Sequence, residues 1–372
     1  MPDPFDDTGA LPAGATTSGG LQTDADNARE EARASASYNV KIEHKAFRCS
    51  RGYDLYTTTF TPSVRRSPCC LVFHHGLSDH SSRHRDVLIH LCAEVGMPVY
   101  TYDAHGHGRS GPDDGPQGRA FIFMFDDLLN DLLDFTKQVV IPAETASAAS
   151  CNGSGPGPTS TAPRADGAAT TASASGPAPG SKPRIYLFGY SMGGLCTSLA
   201  VATTADAEGR GSLYEGLVLS SCLTDALYGD SYMVRVVKLV VATLLRTFVP
   251  YAAIIKRNSI EAGIRDTSAI AQMAADPLWY RGKFKTATIY SLLWGCQWLH
   301  RAARRITVPI YAQHGTKDIA CNVNAMREHL ARVRSKDLTF NVVEGGFHDL
   351  HHDPETPRLL KDMVSWLKAH AK

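Results

Sequence analysis

Hydrophobic and polar positions change their rhythm several times along the chain of 372 residues, and each change marks an element. Residues 1–37 set no rhythm: Asp, Ala, Gly, Ser and Thr dominate, and large apolar side chains are almost absent. So little apolar surface does not offset the entropy of ordering, and a disordered tail is expected. From Tyr38 the pattern alternates, with Val40, Ile42, His44, Ala46 and Arg48 on one face and Lys41, Glu43, Lys45 and Phe47 on the other. After Arg51-Gly52 a β-branched and aromatic run from Tyr53 to Thr61 completes a predicted hairpin. Leu71-Val72-Phe73 reads as a short buried strand, and Met97–Tyr102 as another after a helix over 85–95. Phe121, Phe125, Leu128, Leu132 and Phe135 recur at helical spacing within a predicted helix over 121–140.

Between 143 and 183 the composition collapses to Ala, Ser, Thr, Gly and Pro, which predicts a flexible insertion that costs the fold little. Ile185–Phe188 is a buried strand leading into Gly189-Tyr190-Ser191-Met192-Gly193, and Leu195, Leu199 and Ala202 open a helix directly behind it. Leu217–Ser220 is a further strand. Residues 222–305 then read as helical, Val308–Gln313 and Leu338–Val343 resume the sheet, and a helix from Pro357 to His370 closes the chain. Alternating strands and helices with one long helical interruption predict an α/β fold with a mostly parallel sheet, helices on both faces and a helical cap over 222–305. The core is expected in two parts, 38–221 and 306–372.

Composition narrows the chemistry. Lys and Arg number 38 against 37 Asp and Glu, with no basic block, so nothing favours nucleic acid as a partner. The nine cysteines include no C-x-x-C pair, which points to neither a disulfide framework nor a zinc ribbon and fits a reducing compartment. The start of the chain lacks the pattern of a signal peptide, and no uncharged apolar run reaches the length of a membrane span, so a cytoplasmic setting is expected. In the stretch 232–249, Arg235, Lys238 and Arg246 share one arc while nearly every other position is apolar. This pattern suits peripheral attachment to a lipid surface.

Three strand ends carry candidate chemistry. Gly-x-Ser-x-Gly between a strand and a helix places Ser191 at the tip of a tight turn, beside the unpaired N–H groups of a helix start. Asp318 follows the strand 308–313, and His348 follows the strand 338–343. The order Ser, Asp, His with each residue just past a strand is that of an α/β-hydrolase triad: nucleophile, orienting carboxylate and general base. The backbone N–H groups of Leu77 and Met192 are the expected oxyanion donors. Asp79 and Arg83 are candidates for contact with a substrate head group. His105 with His107, and His351 and His352 with Asp353, have spacings that invite a metal reading, but adjacent glycines fit turns better and no metal or other cofactor is expected.

Taken together, these motifs resemble the monoacylglycerol lipase and lysophospholipase branch of the serine α/β-hydrolases, within the S33-like group. The carriers are His75-Gly76-Leu77-Ser78-Asp79-His80-Ser81-Ser82-Arg83, residues 103–111, residues 189–193, the motifs around Asp318 and His348, and Asp276-Pro277-Leu278-Trp279-Tyr280-Arg281-Gly282-Lys283 in the cap. The resemblance runs from Lys41 to the C-terminus. It implies hydrolysis of a single acyl ester on a glycerol-type head, through an acyl-enzyme, with a tunnel for the chain beneath the cap. Asp79 stands where that family usually has Glu, and His84 where Tyr is common, which bears on the head group rather than the chemistry. A general short-chain carboxylesterase, or a binding protein sharing the fold, are the alternatives.

Overall fold

The computed structural model describes Ala32, residues 36–150 and residues 182–372. The expected disordered tail and most of the 143–183 insertion lie outside the described residues. Ten strands form, eight of them in one sheet: β1 (Val40–Arg48), β2 (Asp54–Pro62), β3 (Cys69–His74), β4 (Val99–Tyr102), β5 (Arg184–Tyr190), β6 (Gly216–Ser220), β9 (Ile310–Gly315) and β10 (Leu338–Val343). The order across the sheet is β1-β2-β4-β3-β5-β6-β9-β10. Within this sheet of the described residues the β1–β2 and β2–β4 pairs are antiparallel, and every neighbour from β4 onward is parallel. β3, β5 and β6 are buried at nearly every position, as parallel strands covered on both faces must be.

Helices 85–95 and 356–370 close one face through Leu88, Ile89, Leu91, Met363 and Leu367 against Phe73, Phe188 and Tyr311. The opposite face is covered by helices 125–135, 192–204 and 286–302, through Phe125, Leu132, Leu195, Leu199 and Leu299. Parallel registers bring the strand ends to one edge: His74 lies beside Gly189, Tyr190 beside Ser220, and Gly315 beside Val343. Loops leaving that edge therefore meet, which is where parallel α/β sheets bind their ligands.

Three boundaries differ from expectation. The helix predicted from Phe121 begins at Phe125, because Ile122 N–H is drawn away to Thr288 Oγ1 at 3.0 Å and Ala120 sits at φ 57°. At its other end the helix passes through a π turn at Thr136–Val140 and continues as Ile141–Ser150, well into the segment read as an insertion. Glu144 explains this: it is buried between Tyr100, whose hydroxyl donates to it at 2.7 Å, and the guanidinium of Arg65 at 2.5 Å. Lastly, the cap expected over 222–305 stops near Lys285. Helix 286–302 belongs to the core, for a Cβ on Gly295 would lie 2.8 Å from Phe125 and 3.1 Å from Leu195. The cap proper holds helices Tyr232–Phe248 and Thr267–Ala275 and a two-stranded ribbon, β7 (Ala253–Ile255) with β8 (Phe284–Lys285).

Candidate active site

Ser191 ends β5 with φ 53° and ψ −119°, and helix 192–204 begins at the next residue. The serine itself takes the unfavourable left-handed φ, and the flanking glycines serve close approach. A Cβ on Gly193 would stand 2.0 Å from the His74 carbonyl oxygen, and one on Gly189 would stand 2.3 Å from Thr197 Oγ1. Gly76 is likewise pressed against the elbow, since a Cβ there would stand 3.2 Å from Ser191 Cβ and from the Tyr190 ring.

His348 Nε2 lies 3.0 Å from Ser191 Oγ, and His348 Nδ1 lies 2.8 Å from Asp318 Oδ2. A carboxylate only accepts, so Nδ1 carries the proton and Nε2 is left to accept from the serine. The other oxygen of Asp318 accepts the N–H groups of Ala320 and Cys321, both at 2.8 Å, and His314 Nε2 stands 3.1 Å from Oδ2. Burial alone would raise the Asp318 pKa, but His348, His314 and these hydrogen bonds hold it well below the usual carboxylate range. Burial pulls the His348 pKa down, yet Asp318, with Asp349 and Asp79 behind it, raises it above its ordinary 6.5. The thiol of Cys321 is buried against Ser191, and burial keeps its pKa far above normal.

Asp79 and Arg83, the head-group candidates, are both engaged with partners inside the protein. Asp79 is buried at 2% exposure and the Arg83 side chain is 9% exposed, and each spends polar atoms internally. Asp79 Oδ1 accepts from Arg83 Nη1 at 2.9 Å and from His80 N–H at 2.8 Å, while Oδ2 accepts from His84 Nε2 at 2.6 Å. Arg83 Nη2 then reaches Asp349 at 2.6 Å, the residue beside His348. With its Nε2 proton given to Asp79, His84 accepts from His351 at Nδ1, 2.9 Å away. Tyr190 packs its ring 5.3 Å from His348, 5.1 Å from His351 and 5.0 Å from His84.

At the metal-inviting spacings some ring nitrogens are engaged in the protein, while His105 Nδ1, His107 Nε2 and His351 Nε2 are buried without a hydrogen-bond partner among the described residues. His107 Nδ1 bonds the His105 carbonyl at 3.0 Å, His352 bonds Asp349 at 3.0 Å, and Asp353 accepts Arg265. Asp318, Cys321 and His348 form a three-residue grouping close enough to ligate a cation, but two of the three are already hydrogen-bonded to each other. His314, Cys321 and Asp349 were not singled out in the sequence. For Asp349 the signal was available, a carboxylate adjoining the histidine of a strand-end motif.

This fold and arrangement define a serine hydrolase of the α/β-hydrolase class. The chain belongs to the serine aminopeptidase S33 family, whose family model matches residues 67–153 and 164–355. It is 28% identical to a monoacylglycerol lipase of Mycolicibacterium smegmatis over 318 residues, covering 86% of this chain and 92% of that one. It is 25% identical to the monoglyceride lipase of Mus musculus, over 85% of this chain and 87% of that one. Among solved structures, monoacylglycerol lipase from Paleococcus ferrophilus superposes with a TM-score of 0.63 at 20% identity, over 85% of this chain and 99% of that one. A soluble variant of the Saccharomyces cerevisiae monoglyceride lipase, solved with a substrate analogue, gives 0.66 at 15%, over 90% and 96%. The chain is a carboxylic ester hydrolase.

Proposed function

We propose that this enzyme cleaves the acyl ester of monoacylglycerols or lysophospholipids, with Ser191 as nucleophile, His348 as general base and Asp318 as its orienting carboxylate. The observation that carries the mechanism is the line from Ser191 Oγ to His348 Nε2 at 3.0 Å and from His348 Nδ1 to Asp318 at 2.8 Å. Oγ bonds the ester carbon as its proton passes to Nε2, and the N–H groups of Leu77 and Met192 receive the oxyanion. The proton then leaves with the alcohol, and water repeats the sequence to release the fatty acid.

A lipid substrate, rather than a short soluble ester, is supported by the helix Tyr232–Phe248, none of whose residues is buried. Its apolar arc, not its charged one, is turned outward. Arg235 is tied to Asp225 at 2.7 Å, Lys238 to Asp230 at 2.7 Å, and Arg246 lies between the rings of Phe123 and Tyr290, so the basic arc faces the body. Met233, Val237, Val240, Leu244 and Phe248 occupy the opposite arc in solvent, Phe248 at 76% exposure. No described helix is long and apolar enough to cross a membrane. An outward apolar arc of this kind fits insertion into the acyl boundary of a bilayer, where the substrate resides.

The test combines labelling with a substrate panel. A fluorophosphonate probe should mark the wild type and leave Ser191→Ala unmarked, with turnover lost by about 10⁴- to 10⁶-fold. Acyl esters of four to eighteen carbons should show kcat/KM rising with chain length, since each buried methylene contributes about 0.8 kcal/mol. A profile that peaks at four carbons would make the protein a short-chain esterase.

A further inference from the structure

The cap from Pro250 to Lys285 carries six Lys and Arg but only three Asp and Glu, in a chain of net charge +1. Two of those acids are already engaged: Asp276 holds His80 at 2.7 Å, and Asp266 caps helix 267–275 through Ala269 N–H at 2.9 Å. Arg265 finds its partners on the body, Asp353 and Glu355. Arg281 donates to the carbonyls of Ala274 and Asp276, and Lys285 to those of Gly118 and Arg119 at 3.2 and 3.3 Å. Arg257 donates once, to the carbonyl of Tyr280, and lies over the Trp279 ring 3.6 Å from its centroid. Among the described residues no carboxylate pairs with Arg257, Arg281 or Lys285.

Arg257 is held between the two loops that meet at Ser191. Tyr280, whose carbonyl it binds, donates its own N–H to Ser78 at 3.0 Å, one residue past Leu77. Further along the loop that carries Arg257, Gly263 accepts the N–H of Asp349 at 2.9 Å, and its built Cβ position is 3.8 Å from His348 Cβ. A half-buried guanidinium without a counter-charge is costly, because partial burial removes hydration that nothing replaces. Burial, then the like charges of Arg281 and Arg83, push its pKa down to about 10, so it stays charged at neutral pH. The Trp279 face recovers part of this cost, and among the described residues the donor fork makes one hydrogen bond, to the Tyr280 carbonyl.

We propose that Arg257 is the anion-recognising residue of a head-group subsite, and that the preferred substrates carry a phosphate on the alcohol side of the ester. Lysophospholipids, rather than neutral monoacylglycerols, are then the better substrates of this enzyme. The fork of Arg257 matches two phosphate oxygens, and the nearby Arg281 adds positive field. This inference rests on the ester-hydrolase reading above and chooses between its two lipid classes.

The deciding measurement is kcat/KM for octanoyl esters presented as monomers, which removes any contribution from recruitment to a surface. Monooctanoylglycerol and octanoyl lysophosphatidylglycerol are compared in wild type, Arg257→Gln and Arg257→Lys, with fluorophosphonate labelling reporting an intact serine site. Expected is a wild-type preference for the phosphate ester. Arg257→Gln should reduce the phosphate-to-neutral ratio about 10- to 100-fold, mainly through KM, and Arg257→Lys should restore part of it. A ratio that Arg257→Gln leaves within about twofold overturns the proposal, and so does a wild type that prefers the neutral ester, whether or not the variants fold. Inorganic phosphate that inhibits both esters equally in wild type and only weakly in Arg257→Gln would assign the site to a free anion and overturn the substrate reading. A wild type that turns over neither ester sinks the lipase reading itself; one that turns over only the neutral ester sinks this inference alone.

Discussion

His348 couples the residue scale to a measurable quantity. Its protonated form is stabilised by Asp318 and, further off, by Asp349 and Asp79, so its pKa lies above 6.5 despite burial. A general base must be neutral to accept the serine proton, so activity is present above that raised pKa and is lost as pH falls through it. The kcat/KM profile should therefore show an acid limb centred above 6.5. Asp318→Asn removes the main counter-charge and should move the limb to lower pH while costing about 10⁴-fold in rate. A limb that stayed in place would mean that another group is being titrated.

At the scale of elements, the loop after β3 and the loop after β10 are locked together by charge. Arg83 bridges Asp79 and Asp349 within a few per cent of full burial, and both carboxylates are held well below their usual pKa range. Replacing it with Met strands two buried acids, and urea denaturation should report a loss of about 3–5 kcal/mol. If stability fell by less than about 1 kcal/mol, the network would be ornamental. The cap helix makes a separate prediction. Val237 and Leu244 both point outward, whereas Leu245 is partly covered. The double change Val237→Ser with Leu244→Ser should weaken liposome co-sedimentation and long-chain turnover while sparing a soluble ester. Equal losses on both substrates would place this arc against protein instead.

For the whole molecule, the question is how much of the chain the fold needs. The composition of 151–181 offers no core, and loop closure grows only as the logarithm of length, so replacing 152–180 with about ten Gly and Ser residues should preserve activity and melting temperature. A deletion beginning at 145 is a different matter. It removes the last turns of helix 141–150, including buried Ala148, and loosens Glu144 from Arg65 and Tyr100. Thermal unfolding of the two deletion variants side by side checks this, and identical melting temperatures would show the extra turns to be dispensable.

Local rules sufficed for the strands of the main sheet and for the elbow, and they marked Ser191, Asp318 and His348 at strand ends, because each reading rests on short-range physics: apolar runs, glycine spacing and motif order; the ribbon of β7 and β8 lies inside a stretch that reads as helical. The eight-stranded, mostly parallel sheet follows from the alternation of those elements. Where side chains find partners far along the chain, the sequence was silent. Asp79 and Arg83 look like free polar groups until Asp349, more than 260 residues away from Arg83, is brought against them. Glu144 extends a helix into apparent low complexity only because Arg65 and Tyr100 wait for it. The amphipathic pattern of 232–249 was legible, but only the position of Asp225, Asp230, Phe123 and Tyr290 decided which side of the helix faces water. Periodicity determines that a face exists, and tertiary contacts determine what covers it.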